Sequence, residues 1–275
     1  MIRTSRLLLP LLLAAASLQV AFKSRPSGIA DYTAVPDSPP RAVVRDGVAI
    51  TLRDQKLTVF RDGRRVRDYD ISTSKFGIGA APGSRRTPTG IHAVSDMVGG
   101  NQPRGMVFKG CRPTGEVVGV DAPGRDPIVT RIIQLHGLED GNRNSHSRRI
   151  YIHGTPEERN IGRPASYGCI RMRSADVMDL YPLVYRGMPV AIERCSQSMY
   201  MRAVQQASTP RIRIPDSVVA SLPKDQVSPR RRSYRARRHA VRGSRRAIAS
   251  RGRSASTRRS SSGRRLARRT TRRRR

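Results

Sequence analysis

Apolar and polar positions alternate at Val48, Ile50 and Leu52 and again at Leu57 and Val59. This period of two predicts half-buried strands joined through Arg53-Asp54-Gln55. Asp62-Gly63 is a tight-turn signal, and residues 66–72 read as the returning strand. Residues 76–86 are rich in Gly, Ala and Pro and read as a loop, after which 90–97 resumes the strand pattern. A long insertion dotted with glycine and proline follows at 101–126, carrying Met106-Val107-Phe108, and is expected to form a flap. Residues 128–135 and 149–153 read as central strands. Ser174 is a candidate helix N-cap, ahead of an apolar face at Val177, Leu180, Tyr181 and Val184. Pro182 should end that helix early, and Val190-Ala191-Ile192 gives a last strand. Beyond Arg194 the pattern fades. The expectation is a mainly β fold, a closed or nearly closed mixed sheet with one or two short helices.

Composition changes the picture mainly at the ends. The formal charge of the 275-residue chain is +34, and residues 230–275 contain 21 arginines and no acid. Removing those 21 from the 54 basic residues leaves 33 against 20 acids, a balance of +13. A segment of Arg, Ser, Ala and Thr cannot bury enough apolar surface to offset its ordering entropy, so 229–275 is expected to be disordered. At the other end Arg3 and Arg6 precede an uncharged stretch, 7–22, with Ala14-Ala15-Ala16 as a small-residue cleavage site. This is the pattern of an export signal, or of a short uncleaved anchor. The 16 residues fall short of the roughly 20 that span a bilayer, and no cysteine lies in the first 30 residues to carry a lipid. The expected organisation is a signal at 1–22, a proline-rich linker at 23–46, a folded domain at 47–194, an extension of uncertain structure at 195–228 and the tail.

The chemistry concentrates in Ser166-Tyr167-Gly168-Cys169-Ile170-Arg171-Met172, with His153-Gly154 upstream and fifteen residues between His153 and Cys169. A cysteine on a glycine turn and an imidazole within folding reach are the minimum parts of a thiolate nucleophile and its base. Glycine lets backbone N–H groups approach an oxyanion that a side chain would crowd. Arg171, two residues on, points to the side of Cys169 if the segment is a strand. It would hold a substrate carboxylate in a forked pair or lock the loop through backbone carbonyls. Ser166 is expected to hydrogen-bond within the turn. His92, His136, His146 and His239 read as structural or solvated. No cluster has metal-ligand spacing and no glycine loop is built to cradle phosphate, so neither metal nor cofactor is expected. Three cysteines are an odd number for an exported chain. Sparing Cys169 leaves a Cys111–Cys195 disulfide or three free thiols.

At these residues the chain resembles the L,D-transpeptidase catalytic domain family of bacterial cell-wall enzymes, which reads His-Gly, a loop, then Ser/Thr-x-Gly-Cys-hydrophobic-Arg. Two further blocks are similar to that family: Ile71-Ser72-Thr73-Ser74-Lys75 with Thr87-Pro88-Thr89-Gly90, and the opening hairpin from Val48 to Phe60. Tyr167 stands where many members carry a second histidine, which leaves His153 the only histidine between Ser147 and Cys169. The resemblance implies that Cys169 is the nucleophile and His153 the base. It also implies that the Gly154 carbonyl orients the imidazole and that N–H groups around Tyr167, Gly168 and Cys169 form an oxyanion hole. It implies a peptidoglycan stem peptide as acyl donor, with transfer to an amine, hydrolysis or lipoprotein anchoring as outcomes, in the periplasm or cell envelope. The arginine tail fits anionic envelope polymers or lipid headgroups. Nucleic acid fits less well, because the tail lacks aromatic residues to stack bases. A basic nucleic-acid-binding protein and a catalytically silent wall-binding domain are the readings from other classes.

Overall fold

The computed structural model describes residues 28–34, 36–206 and 212–224. The export signal and the arginine tail lie outside them. The hairpin expected at the start is β1 (Gly47–Thr51) and β2 (Lys56–Arg61), and β3 (Arg64–Asp70) returns after the Asp62-Gly63 turn. β4 (Gly90–Val98) follows the glycine-rich loop. Next come β5 (Met106–Lys109), β6 (Arg112–Val117) and the long β7 (Ile128–Gly137). Two short strands, β8 (Tyr151–Gly154) and β9 (Ile170–Met172), flank the segment that carries the cysteine. The chain ends its described course with α1 (Ser174–Leu180), β10 (Pro189–Glu193), α2 (Gln197–Gln205) and α3 (Asp216–Ser221).

The strands form one mixed sheet in the order β3-β2-β1-β10-β4-β7-β5-β6, with β8 branching from β7 and β9 from β8. β1–β10 and β8–β9 are parallel pairs; the others are antiparallel. Just past β3, Ser72 and Arg171 exchange two backbone hydrogen bonds of 2.9 Å each. This bridge joins the end of the β3 side to β9 and bends the sheet toward closure. Inside the bend lies the main core, with Ile50, Leu57, Ile133, Leu135, Ile152, Ile170 and Met172 fully buried.

Several expectations change. β1 is buried at every position rather than at alternate ones. The cause is the segment after Arg194, which lacked a clear sequence pattern. In α2, Tyr200 lies against Phe60, with ring centroids 5.8 Å apart, and its hydroxyl accepts from Val44 N at 2.9 Å. Tyr200, Ala203 and Val204, together with Val43, thus cover the second face of β1 and β10 at Ala49 and Ala191. The described part of 23–46 is not a free linker. Tyr32 is buried and donates its hydroxyl to the Ser74 carbonyl at 2.7 Å, and Val43 and Val44 are core residues. Ser174 does not cap α1; it is the first helical residue, and the Glu158 carboxylate accepts from its N–H at 2.9 Å. An anion at that helix end is favourable for the same reason a serine cap would be. Pro182 does stop the helix, which passes into a single 3-10 turn at Tyr181–Leu183.

Candidate active site

The cysteine turn is built from the sheet outward. β8 and β9 run parallel in the register Ile152↔Ile170, His153↔Arg171 and Gly154↔Met172. Side chains alternate across a strand, so Ile152 and Ile170 enter the main core while His153 and Arg171 share the opposite face. Cys169, one residue before β9, falls on that same face, packed beside Ile132, Cys111 and Tyr151. His153 is the penultimate residue of β8 and is buried. Its Nδ1 lies 2.8 Å from the Gly154 carbonyl oxygen, so Nδ1 carries the proton and Nε2 is left as the basic atom. Gly154 has to be glycine: a Cβ there would sit 2.7 Å from the Val129 carbonyl oxygen. The partner strand is distorted at this point. The register of β7 slips between Val129 and Ile132, opposite Gly154 and His153, and Thr130 takes a left-handed φ of 70°. A β-branched residue in that region stores strain, which the Thr130 hydroxyl offsets by donating to Ser174 Oγ at 2.9 Å and accepting from Gly105 N at 3.0 Å.

The turn around the cysteine is fastened from below. Ser166 Oγ donates to the Cys169 carbonyl at 2.6 Å and accepts from Gly168 N at 3.2 Å, the intra-turn role expected of it. Gly168 has φ +124°, a region that L side chains avoid. Its carbonyl accepts the Thr87 hydroxyl at 3.0 Å, and Thr87 Oγ1 in turn accepts from Ser74 N. The Thr-Pro-x-Gly block thus clamps the cysteine turn, a role that the sequence motif did not reveal. One expectation is corrected here: the Gly168 N–H is taken by Ser166 and is not free for an oxyanion. Tyr167 in the same turn is more than half exposed.

Arg171 is also corrected. It neither waits for a substrate carboxylate nor binds loop carbonyls. Its guanidinium is buried, paired with Asp126 on one side and with Glu157 at 3.4 Å on the other. Asp126 also accepts the Thr155 hydroxyl at 2.5 Å. Arg171 therefore ties β9 to the end of the 101–126 insertion and to the residues just after His153. The insertion itself is ordered as the β5–β6 hairpin. Met106, Phe108 and Cys111 form an apolar patch beside Cys169, and Asp121 N bonds the Pro156 carbonyl at 2.7 Å. The partners Asp126 and Glu157 had no local sequence signal, because nothing nearby in the chain marks them as acids for a distant arginine.

The proposed Cys111–Cys195 bridge is absent. Both thiols are buried and neither is in a disulfide, Cys111 in the patch beside Cys169 and Cys195 among the residues under α2. Cys169 is the partly accessible one. Its thiol donates to the Arg149 carbonyl at 3.2 Å. Burial raises its pKa, while the Tyr151 N–H and the charges of Arg171 and Arg148 oppose the rise. His153 is pushed down to about 4, by burial first and by the Arg171 charge in addition, against the Gly154 hydrogen bond. The resting pair is therefore neutral thiol and neutral imidazole. The other described histidines make no hydrogen bond or ring contact with Cys169 or His153, although His136 shares the β7 face of Ile132. His92 is fully buried between the Gly90 carbonyl and Ser145 Oγ, and His136 and His146 lie ring to ring, 6.1 Å apart. Among the described residues no group of His, Cys, Asp and Glu is arranged to hold a metal ion, and no helix is long and apolar enough to cross a membrane.

Comparison with known proteins agrees with the motif. The family model YkuD, the L,D-transpeptidase catalytic domain, matches residues 45–192. A probable L,D-transpeptidase of Escherichia coli, YcfS, is 28% identical over 167 residues, covering 58% of this chain and 46% of its own length. The chain thus spans about half of that relative. An L,D-transpeptidase structure from Xylanimonas cellulosilytica is 22% identical, covering 57% of this chain and 65% of its own, with a TM-score of 0.36. A cysteine-to-serine variant of the Enterococcus faecium enzyme is 16% identical over 55% and 50%, with a TM-score of 0.36.

Proposed function

The chain belongs to the L,D-transpeptidase catalytic domain family, and from that membership we propose that it is an exported cysteine acyltransferase acting on peptidoglycan stem peptides. One observation carries the reading: a neutral imidazole, locked through Nδ1 by the Gly154 carbonyl, shares a sheet face with the most accessible of the three thiols. As the Cys169 sulfur attacks a peptide carbonyl, His153 Nε2 takes the thiol proton and the carbonyl oxygen becomes an oxyanion. The Tyr167 and Cys169 N–H groups receive that charge, each such donor contributing about 3 kcal/mol. The oxyanion collapses, the C–N bond breaks, and the imidazolium gives its proton to the leaving amine. A thioester remains. An amine on a second stem then attacks, His153 takes its proton, and the sulfur leaves and is reprotonated. Water in place of the amine gives hydrolysis; a lipoprotein amine gives anchoring.

Purified muropeptides incubated with the enzyme and analysed by mass spectrometry test this reading. A cross-linked product, a released terminal amino acid and a covalent adduct at Cys169 are expected. Full turnover by a Cys169→Ala variant would end it. The export pattern at 1–22 supports a location beside that substrate, and the charge of the arginine tail suits anionic polymers or lipid headgroups of the same compartment.

A further inference from the structure

The rim of the cysteine turn carries an aromatic and cationic cluster that the chemistry above leaves unused. Tyr167 is 54% exposed and Phe76 37% exposed, unusual values for rings so close to a buried site. Their centroids are 5.6 Å apart at a tilt of 52°. Lys75 Nζ stands over the Tyr167 ring at 4.6 Å and over the Phe76 ring at 5.4 Å, and donates to Tyr167 Oη at 3.2 Å. The Arg85 guanidinium approaches the same Tyr167 ring at 5.5 Å. Three separate segments meet here, and each is fixed by the turn. Lys75 N bonds the Ser166 carbonyl, and the Arg85 carbonyl accepts from Ser74 Oγ at 2.6 Å. Arg86 and Arg148 adjoin it, joined by a 2.6 Å bond from Arg148 to the Arg86 carbonyl.

The charge at this rim is uncompensated. Around the rest of this site arginines are matched with acids, as Arg104 is with Glu158, Arg171 with Asp126 and Arg173 with Asp70, while others such as Arg61, Arg131 and Arg186 bond backbone carbonyls. Lys75, Arg85, Arg86, Arg148 and Arg149 form no ion pair among the described residues. Two cations facing one ring repel each other, and an anion placed between them removes that cost. Lys75 spends one of its three N–H donors on Tyr167, and Arg85 presents a planar fork of donors suited to a carboxylate. The rings beside them offer an apolar floor for the chain that bears it.

We propose that Lys75, Arg85 and the Tyr167–Phe76 pair form a subsite for a carboxylate of the donor peptide, selecting acidic stems over amidated ones. This rests on the acyl-transfer reading for the source of the peptide, but not for the anion site itself. The test uses the full chain carrying Cys169→Ala and a set of tetrapeptide stems whose carboxylates are converted to carboxamides one at a time, with binding measured by calorimetry. One amidation is expected to weaken binding at least about tenfold, the loss of a single charge-assisted pair. In the Lys75→Met, Arg85→Met double variant the acidic and amidated peptides should bind alike, and Lys75→Arg should keep the discrimination. Thermal melts matching the parent establish that the variants fold. Undiminished discrimination in the double variant, or none in the parent, overturns the subsite. Wild-type enzyme supplies the second arm. Discrimination in binding with no acyl-enzyme would sink the transfer reading and leave the subsite standing. Acyl-enzyme formed with equal kcat/KM from acidic and amidated donors would sink the subsite and leave transfer standing.

Discussion

At the scale of single residues, the proposed pair of Cys169 and His153 is defined by what burial does to two protons. With His153 depressed to about 4 and Cys169 raised, the imidazole is an unprotonated base throughout the neutral range, and the thiol keeps its proton until attack. The expected kcat/KM profile for acylation is flat from about pH 5 to 8, with an acid limb near pH 4 where His153 protonates. A rate that climbs tenfold per pH unit through neutrality would mean that only pre-formed thiolate reacts, against the neutral pair. The same burial has a stability consequence. His92 and His153 are both near 4 when folded, against about 6.5 in an unfolded chain. The unfolded state then binds more protons below pH 6.5, so folding loses up to ~3 kcal/mol per histidine between pH 6.5 and 4. Denaturant titrations at pH 7 and pH 4 should show that loss, and a His92→Gln variant should lack its share. Ser166→Ala removes both hydrogen bonds that shape the turn and is expected to cost ~1–3 kcal/mol and to slow acylation more than it weakens binding.

At the scale of elements, the account turns on how β8, β9 and the β5–β6 hairpin are tied together. Arg171 does this through Asp126 and Glu157. Removing one side of a buried pair strands the other charge, so Arg171→Met should destabilise by ~3–5 kcal/mol. It should also loosen the strand end that holds His153. An Arg171→Met, Asp126→Leu double variant should recover much of that stability, as calorimetric melts would report. The sequence disclosed these elements unevenly. β1, β2, β4 and β7 were legible because period-two alternation and turn residues coincide there. The placing of His153 and Cys169 on one sheet face was legible because each sits at or beside a strand whose alternation can be read. What packs on the outer face was not. α2 has a polar surface and a short apolar stripe, and only contact with Phe60 and Val44 gives Tyr200 its place. Arg171 misled for a related reason, since alternation put it on the right face but could not show acids distant in sequence.

At the scale of the whole molecule, the described fold is larger than the matched region. The family model ends at residue 192, yet α2 and α3 lie beyond it, and Leu222 and Val219 carbonyls accept from Arg186. Tyr200→Ala opens the second core and should cost ~3–5 kcal/mol while leaving kcat unchanged, since Tyr200 packs in the cluster under α2 and not in the patch that holds Cys169. Ending the chain at residue 224 keeps every described element and should preserve both Tm and turnover. It should lower retention on an anionic polymer, because 21 arginines go with the tail.

The most direct test of the central claim is time-resolved intact-mass spectrometry of the enzyme with a stem tetrapeptide at pH 7, comparing wild type with His153→Gln. The account predicts a single adduct, mapped to Cys169, that forms about 10²–10⁴-fold more slowly in the variant. An adduct on Cys111 or Cys195, or one that forms at the wild-type rate without the imidazole, would contradict it.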